Sequence, residues 1–171
     1  TRTSARGRAR VAALAAHWLA SAWDQNAVFR MTSPAASAFE EVALRWVLEA
    51  VSLPADWRGG FVTCTTMGHV AGLAAARHAV LERVGWDVER DGLGGAPPIE
   101  VVVSAQAHGT LYRALRLLGL GTRAVKRVPV DAQGRMLAAE LPRLSGPAIV
   151  CTQAGNVDGG AFDPLPEIAA A

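Results

Sequence analysis

The sequence predicts an α/β fold in which a mostly parallel sheet is flanked by helices. Short apolar stretches with strand character alternate along the chain with segments of helical periodicity. Gly and Pro mark the irregular connections between them, as in residues 86–98. Hydrophobic residues make up 51% of the 171 residues, which suits one globular domain with a core.

Residues 1–25 are predicted to be a helical lead-in. The alanine-rich residues 8–23 indicate a helix with Leu14, Trp18 and Leu19 on its apolar side. The arginines of residues 1–10 are compatible with a nucleic-acid arm or a transit peptide, but a solvated approach to the helix is the preferred interpretation.

A second helix is predicted before residue 50. Its apolar residues recur at three- and four-residue spacing, which places them on one face: Phe39, Val42, Ala43, Trp46, Val47 and Ala50. Ser33 and Pro34 offer a cap and a first-turn proline. Ser37 with Glu40 offers a capping box one turn later.

The rest of the chain alternates between strands and helices. "FVTC" (61–64) predicts a short buried strand. Residues 67–85 predict a helix whose small residues permit close packing against a sheet: Gly68, Ala71, Gly72, Ala74 and Ala75. The elements predicted after it are a strand at 99–103, a helix at 109–118, a strand at 124–130, a short helix at 136–142, a strand at 147–151 and a helix from about Pro164.

Charge and composition argue against several classes of protein function. The net charge of +2 gives no bulk electrostatic reason to bind nucleic acid or a membrane surface. No apolar run is long enough to cross a bilayer, and the His and Cys spacing forms no zinc set. Cys64 and Cys151 are predicted to be free thiols, which indicates a cytoplasmic protein.

Polar residues follow three of the predicted strands, at the edge where open α/β sheets bind ligands. Thr65 and Thr66 directly precede a helix, where hydroxyls and free N–H groups can hold a phosphate, although an ordinary threonine cap explains them equally well. His108 follows the second strand and Asn156 the last. A nucleophilic Cys64 paired with His69 or His108 is an alternative.

Five blocks carry a resemblance to a known family. In this order, they resemble the large domain of the pyridoxal-phosphate-dependent group II amino-acid decarboxylases, which include the aromatic-amino-acid and glutamate decarboxylases: residues 26–54, 59–81, 104–121, 128–136 and 149–169. The resemblance implies a fold-type-I PLP-dependent transferase large domain in residues 26–171.

The resemblance also implies roles for residues. His108, in the "QAH" block, would lie flat against the pyridine ring of pyridoxal 5'-phosphate and deliver a proton after the carboxylate departs; the alternative is a helix-capping histidine. Thr65 and Thr66 would bind the phosphate, and Asn156 would lie near cofactor and substrate. His69 stands where relatives often have Asn, and either reaches the phosphate or lies on a helix surface or dimer contact.

The implied activity is that of a homodimeric enzyme which converts an L-amino acid, preferably aromatic, to an amine and CO2. A related lyase that cleaves a carbon–carbon or carbon–sulfur bond is one alternative. A non-catalytic paralogue is another.

Such chemistry needs a Schiff-base lysine and a carboxylate that keeps the pyridine nitrogen protonated. The only lysine, Lys126, lies near the start of a predicted strand, at the wrong end of the sheet, and is interpreted as a solvated edge residue. Cys64 also stands where the family usually has a small residue such as glycine. We therefore expect a partial large domain, truncated at its C-terminal end and inactive alone.

Overall fold

The structure is a computed structural model that describes residues 11–23 and 26–171. The arginine-rich residues 1–10, predicted as a solvated lead-in, lie outside the described residues. The chain divides into two compact units, with the boundary between Phe61 and Val62. The α/β prediction is confirmed, and the sheet lies entirely in the second unit.

In the described part of the first unit, the helices are α1 (Val11–Ala22) and α2 (Pro34–Ala50). Helix α2 begins with Ser33 as its N-cap and Pro34 in its first turn, as the Ser-Pro pair predicts, although the Ser33 side chain makes no capping hydrogen bond. The apolar face predicted for α2 is only partly covered: Val42 and Ala43 are half-buried, whereas Phe39 and Trp46 are 76% and 69% exposed.

The second unit is a three-stranded parallel sheet with helices. Its elements are α3 (Thr65–Glu82), α4 (Val88–Asp91), β1 (Glu100–Ser104), α5 (Gly109–Leu117), β2 (Lys126–Val128), a 3-10 helix (Ala138–Glu140), β3 (Ala148–Cys151) and α6 (Leu165–Ala170). The strand order is β2-β1-β3, and both pairings are parallel. No helix in the described ranges combines the length and apolar character needed to cross a membrane.

The strand predicted at residues 61–64 is wrong. These residues form no strand, and the side chains of Phe61 and Val62 are 57% and 49% exposed. Apolar, β-branched residues favour a strand only when a neighbouring strand supplies the hydrogen bonds. None of the strands in the described residues pairs with this segment.

The central strand β1 is buried on both faces. Val101 and Val103 pack with Leu73 of α3, with Leu111, Ala114 and Leu115 of α5, and with Ile149 of the neighbouring strand β3. Val102 points to the opposite face, where it packs with Val128, Met136 and Ile168. Alternation along a strand therefore divides three consecutive valines between two cores, as expected for a parallel sheet covered on both sides.

The small residues of α3 do not pack against the sheet as predicted. Gly72 has no atom within 4 Å of the position that a Cβ would occupy, and Ala71 and Ala75 are exposed. Helix α3 instead contacts the core through Leu73. The close approach predicted from glycine is absent because a different face of the helix carries the larger apolar side chains.

Lys126 lies at the N-terminal end of β2, as predicted, but it is not merely solvated: its side chain forms an ion pair with Glu100 at the start of β1. The pKa of Glu100 falls from its ordinary 4.5 to about 2, mainly because of Lys126 and secondly because the Ser145 N–H donates a hydrogen bond to the carboxylate.

The lowered pKa predicts a pH-dependent contribution to stability. Because the folded pKa lies below the ordinary one, the contribution is complete above about pH 4.5 and is lost as the pH falls through about 2. Urea unfolding midpoints measured from pH 2 to pH 6 should therefore show the native protein more stable than Glu100→Gln above pH 4.5, with the difference vanishing near pH 2. A constant difference over this range would contradict the expectation.

Candidate cofactor-binding site

His108 lies at the turn that joins β1 to α5. The chain turns after Ser104, whose Oγ accepts a hydrogen bond from the Gln106 N–H at 3.2 Å. His108 is the N-cap of α5, and its Nδ1 accepts the Thr110 N–H at 3.3 Å. The capping role that the sequence left open is therefore present, and the exposed ring is also available to a ligand. Its stacking against a cofactor stays a prediction.

A hydrogen-bond chain joins α5 to α3 beside this turn. The Thr110 hydroxyl lies 2.8 Å from Nδ1 of His108 and 3.2 Å from Nδ1 of His69. His69 does not lie on a bare helix surface, because its ring is half-buried and hydrogen-bonded to Thr110 of α5.

Thr65 and Thr66 begin helix α3, as expected for a phosphate-binding turn. Cys64 precedes the helix in extended conformation, and its side chain makes no capping hydrogen bond. The first-turn N–H groups have no partner within a helix. These donors, the Thr65 hydroxyl and the positive end of the helix dipole together suit an anion.

Asn156 is buried in the loop after β3. Its Nδ2 donates to Gln106 Oε1 at 2.7 Å, and its Oδ1 accepts the N–H groups of Asp158 and Gly159 at 2.8 and 3.1 Å. Gly134, with a φ of +81°, approaches closely: a Cβ there would lie 2.7 Å from Gln106 Oε1. Asn156 thus holds the loop after β3 to the turn after β1. That it also lies near a cofactor stays a prediction.

Sequence reasoning missed Asp163. Its buried carboxylate accepts the Met136 N–H at 2.8 Å and the Gln153 N–H at 2.7 Å. It thereby ties the loop after β3 to the loop after β2. No local spacing signals this role, because the two partners lie 27 and 10 residues away in the chain.

These elements enclose a cleft of about 510 Å³ at the carboxyl ends of the strands. Its lining consists of Thr65, His69, His108, Thr110, Thr152, Gln153, Ala154, Gly155 and Val157. Of the four predicted site residues, Thr65 and His108 meet in this cleft, whereas Thr66 and Asn156 do not line it.

The donor set fits pyridoxal 5'-phosphate. The start of α3 offers N–H groups and a hydroxyl to an anionic phosphate, and the exposed imidazole of His108 offers a flat surface on the same cleft. Lys126 lies at the opposite end of the sheet, paired with Glu100. Residues 11–23 and 26–171 hold no cluster of three or more His, Cys, Asp or Glu side chains able to bind a metal ion.

The two cysteines differ in environment. Cys64 is exposed, and its pKa is lowered chiefly by the Met67 N–H dipole at the start of α3. Burial raises the pKa of Cys151 to about 11.

We therefore expect iodoacetamide at pH 7.5 to alkylate Cys64 at least about tenfold faster than Cys151, because the thiolate is the reacting form. Peptide mass mapping at timed intervals measures both rates in one sample. A Cys64→Ser variant should lose only the fast reaction. Equal rates at the two sites would contradict the assigned environments.

Comparisons with known proteins identify the family. A family model described as "Pyridoxal-dependent decarboxylase conserved domain" matches residues 6–171. The chain is 37% identical over 167 residues to L-2,4-diaminobutyrate decarboxylase of Rhizobium meliloti strain 1021, covering 93% of this chain and 32% of that protein. It is 29% identical over 179 residues to tryptophan decarboxylase 1 of Oryza sativa subsp. japonica, covering 92% and 34%.

Among solved structures, the crystal structure of Oryza sativa TDC with PLP and tryptamine matches with a TM-score of 0.73 and 27% identity, covering 94% of this chain and 36% of that one. The chain therefore spans about a third of the length of these relatives.

Proposed function

The chain belongs to the pyridoxal-dependent decarboxylase family, and on this premise we propose that the whole protein uses pyridoxal 5'-phosphate to decarboxylate an L-amino acid. The observation that carries the proposal is the cleft in which Thr65, at the start of α3, and His108, at the start of α5, meet. The chain supplies both an anion site and an imidazole on one surface.

The residues of the chain have separate tasks in this proposal. The α3 N-terminus and the Thr65 hydroxyl bind the phosphate group. His108 would offer its imidazole face to the cofactor and hold a proton for transfer. Pyridoxal 5'-phosphate bound there would supply an electron sink for decarboxylation.

The five sequence blocks favour an aromatic substrate, and the similarity to tryptophan decarboxylase 1 supports that choice. The higher identity to L-2,4-diaminobutyrate decarboxylase supports 2,4-diaminobutyrate as the second candidate. The two substrates differ in charge at the side-chain end, so a single assay panel separates them.

The test is a product assay on the full-length protein supplied with pyridoxal 5'-phosphate. CO2 release and amine formation are measured for L-tryptophan, L-tyrosine, L-phenylalanine and L-2,4-diaminobutyrate. One substrate should give equal amounts of CO2 and amine. Cleavage products without CO2 would favour the carbon–carbon or carbon–sulfur lyase. No turnover of any substrate and no cofactor absorbance would favour the non-catalytic paralogue.

The proposal includes a cytoplasmic homodimer. Large apolar side chains are exposed on the first unit, among them Trp18, Phe39 and Trp46, and such surfaces are typical of association sites. The free thiols of both cysteines suit a reducing compartment. Light scattering on the full-length protein should give twice the mass of one chain, and a monomer at micromolar concentration would contradict the dimer.

A further inference from the structure

We propose that Thr110 is a positioning residue that relays a directed hydrogen-bond chain from His69 to His108 and so fixes which nitrogen of each ring carries the proton. The inference deepens the proposed function, on which it rests for the task of His108. It assigns His108 the tautomer with its proton on Nε2, and His69 a proton on Nδ1.

The contacts are formed by three side chains on two helices. His69 lies in the second turn of α3, and Thr110 in the first turn of α5. The Thr110 Oγ1 lies 2.8 Å from His108 Nδ1 and 3.2 Å from His69 Nδ1, both within hydrogen-bond distance. All three residues line the same cleft.

The direction of the chain follows from the backbone. The Thr110 N–H can only donate, and it points to His108 Nδ1 at 3.3 Å. A proton on that nitrogen would face the N–H hydrogen directly, so Nδ1 must be the unprotonated acceptor and Nε2 must carry the proton in the neutral ring. The positive end of α5 favours the same arrangement, because it attracts a lone pair.

The remaining bonds then have only one consistent direction. Since His108 Nδ1 accepts, the Thr110 hydroxyl donates its single proton to it. The oxygen of that hydroxyl has lone pairs left and accepts from His69, so His69 Nδ1 carries a proton. The chain runs from His69 Nδ1–H to Thr110 Oγ1–H to His108 Nδ1.

The arrangement gives the cleft two imidazoles of opposite hydrogen-bonding character. His108 presents an Nε2–H donor. Neutral His69 presents an unprotonated Nε2 acceptor. Thr110 touches neither cofactor nor substrate in this account and acts only through the two rings.

The experiment measures the tautomers directly, in full-length protein labelled with 15N-histidine and free of substrate. Imidazole 15N resonances distinguish protonated from unprotonated nitrogens, and His108→Asn and His69→Asn variants assign the signals. In the native protein, His108 should be protonated at Nε2 and His69 at Nδ1. The opposite assignment at His108 would overturn the inference without any variant.

A pair of substitutions tests the relay. Thr110→Val keeps the shape and the backbone N–H but removes the hydroxyl, so the His69 signal should shift to a mixture of tautomers. Thr110→Ser keeps the hydroxyl and should retain the native pattern. Turnover should fall about tenfold in Thr110→Val, the effect of about one lost hydrogen bond, with KM unchanged, and less than twofold in Thr110→Ser.

The outcomes separate the two proposals. Native tautomers that change in Thr110→Val, in a protein that decarboxylates no amino acid, would support the relay and overturn the proposed function. Decarboxylation with tautomers identical in native protein and Thr110→Val would support the proposed function and overturn the relay. Melting temperatures of both variants check that the fold is retained.

Discussion

Replacing His108 with alanine in the full-length protein is expected to lower turnover by about a hundredfold or more, while most of the bound pyridoxal 5'-phosphate is retained. Loss of a positioned proton donor has an effect of this size. The phosphate remains held at the start of α3, which the substitution does not touch. Steady-state assays give turnover, and absorbance of the bound cofactor gives its content.

The matched control uses the second role of this residue. His108 caps α5 through Nδ1, so alanine also removes a cap that contributes about 1 kcal/mol. Asparagine is a good N-cap without an imidazole, and His108→Asn should restore the melting temperature but not the turnover. Turnover near the native value in both variants would contradict the role of His108.

The second large effect is expected at Asp163. Replacement by alanine leaves the N–H groups of Met136 and Gln153 without their acceptor in a buried site, which should lower the free energy of unfolding by about 3 kcal/mol. Gln153 also lines the cleft, so cofactor affinity should fall as well. Urea unfolding and cofactor titration of the full-length protein measure the two effects.

Asp158 supplies the control in the same loop. It is exposed, and Asp158→Ala should change the free energy of unfolding by less than about 0.5 kcal/mol. Asn at position 163 keeps one acceptor oxygen but turns an amide donor toward the other N–H, so Asp163→Asn should also be destabilising. If Asp163→Ala were no less stable than Asp158→Ala, the buried carboxylate would not hold the two loops.

Elements with strong local signals could be predicted from the sequence. The valines of β1 and the helical periodicity after His108 each specify a structure within about ten residues. The segment at 61–64 has comparable strand character, yet no strand forms, because strand formation depends on a partner that local composition does not reveal. The apolar face of α2 shows the same limit: periodicity identifies which residues share a face, but not what covers that face.

In the candidate site too, residues with a local signal could be predicted from the sequence, whereas long-range contacts could not. Thr65 and His108 could be predicted from their place before helices and from the resemblance, and they do line the cleft. The pairing of Gln106 with Asn156 joins residues 50 apart, and the partners of Asp163 lie 27 and 10 residues away from it. Such contacts have no period in the sequence and emerge only from the folded chain.

The three consecutive valines of β1 have a consequence for how the sheet assembles. Shifting the strand by one residue would again place valine on both faces over much of its length, so burial alone identifies the correct alignment poorly. Glu100, at the start of the strand, marks the alignment through its ion pair with Lys126 of β2 and through the hydrogen bond that it accepts from the Ser145 N–H. A slip of one position would carry His108 about 3.3 Å along the strand direction, farther than a hydrogen bond tolerates. A surface ion pair at one end of the sheet thus helps to set the position of an imidazole at the other.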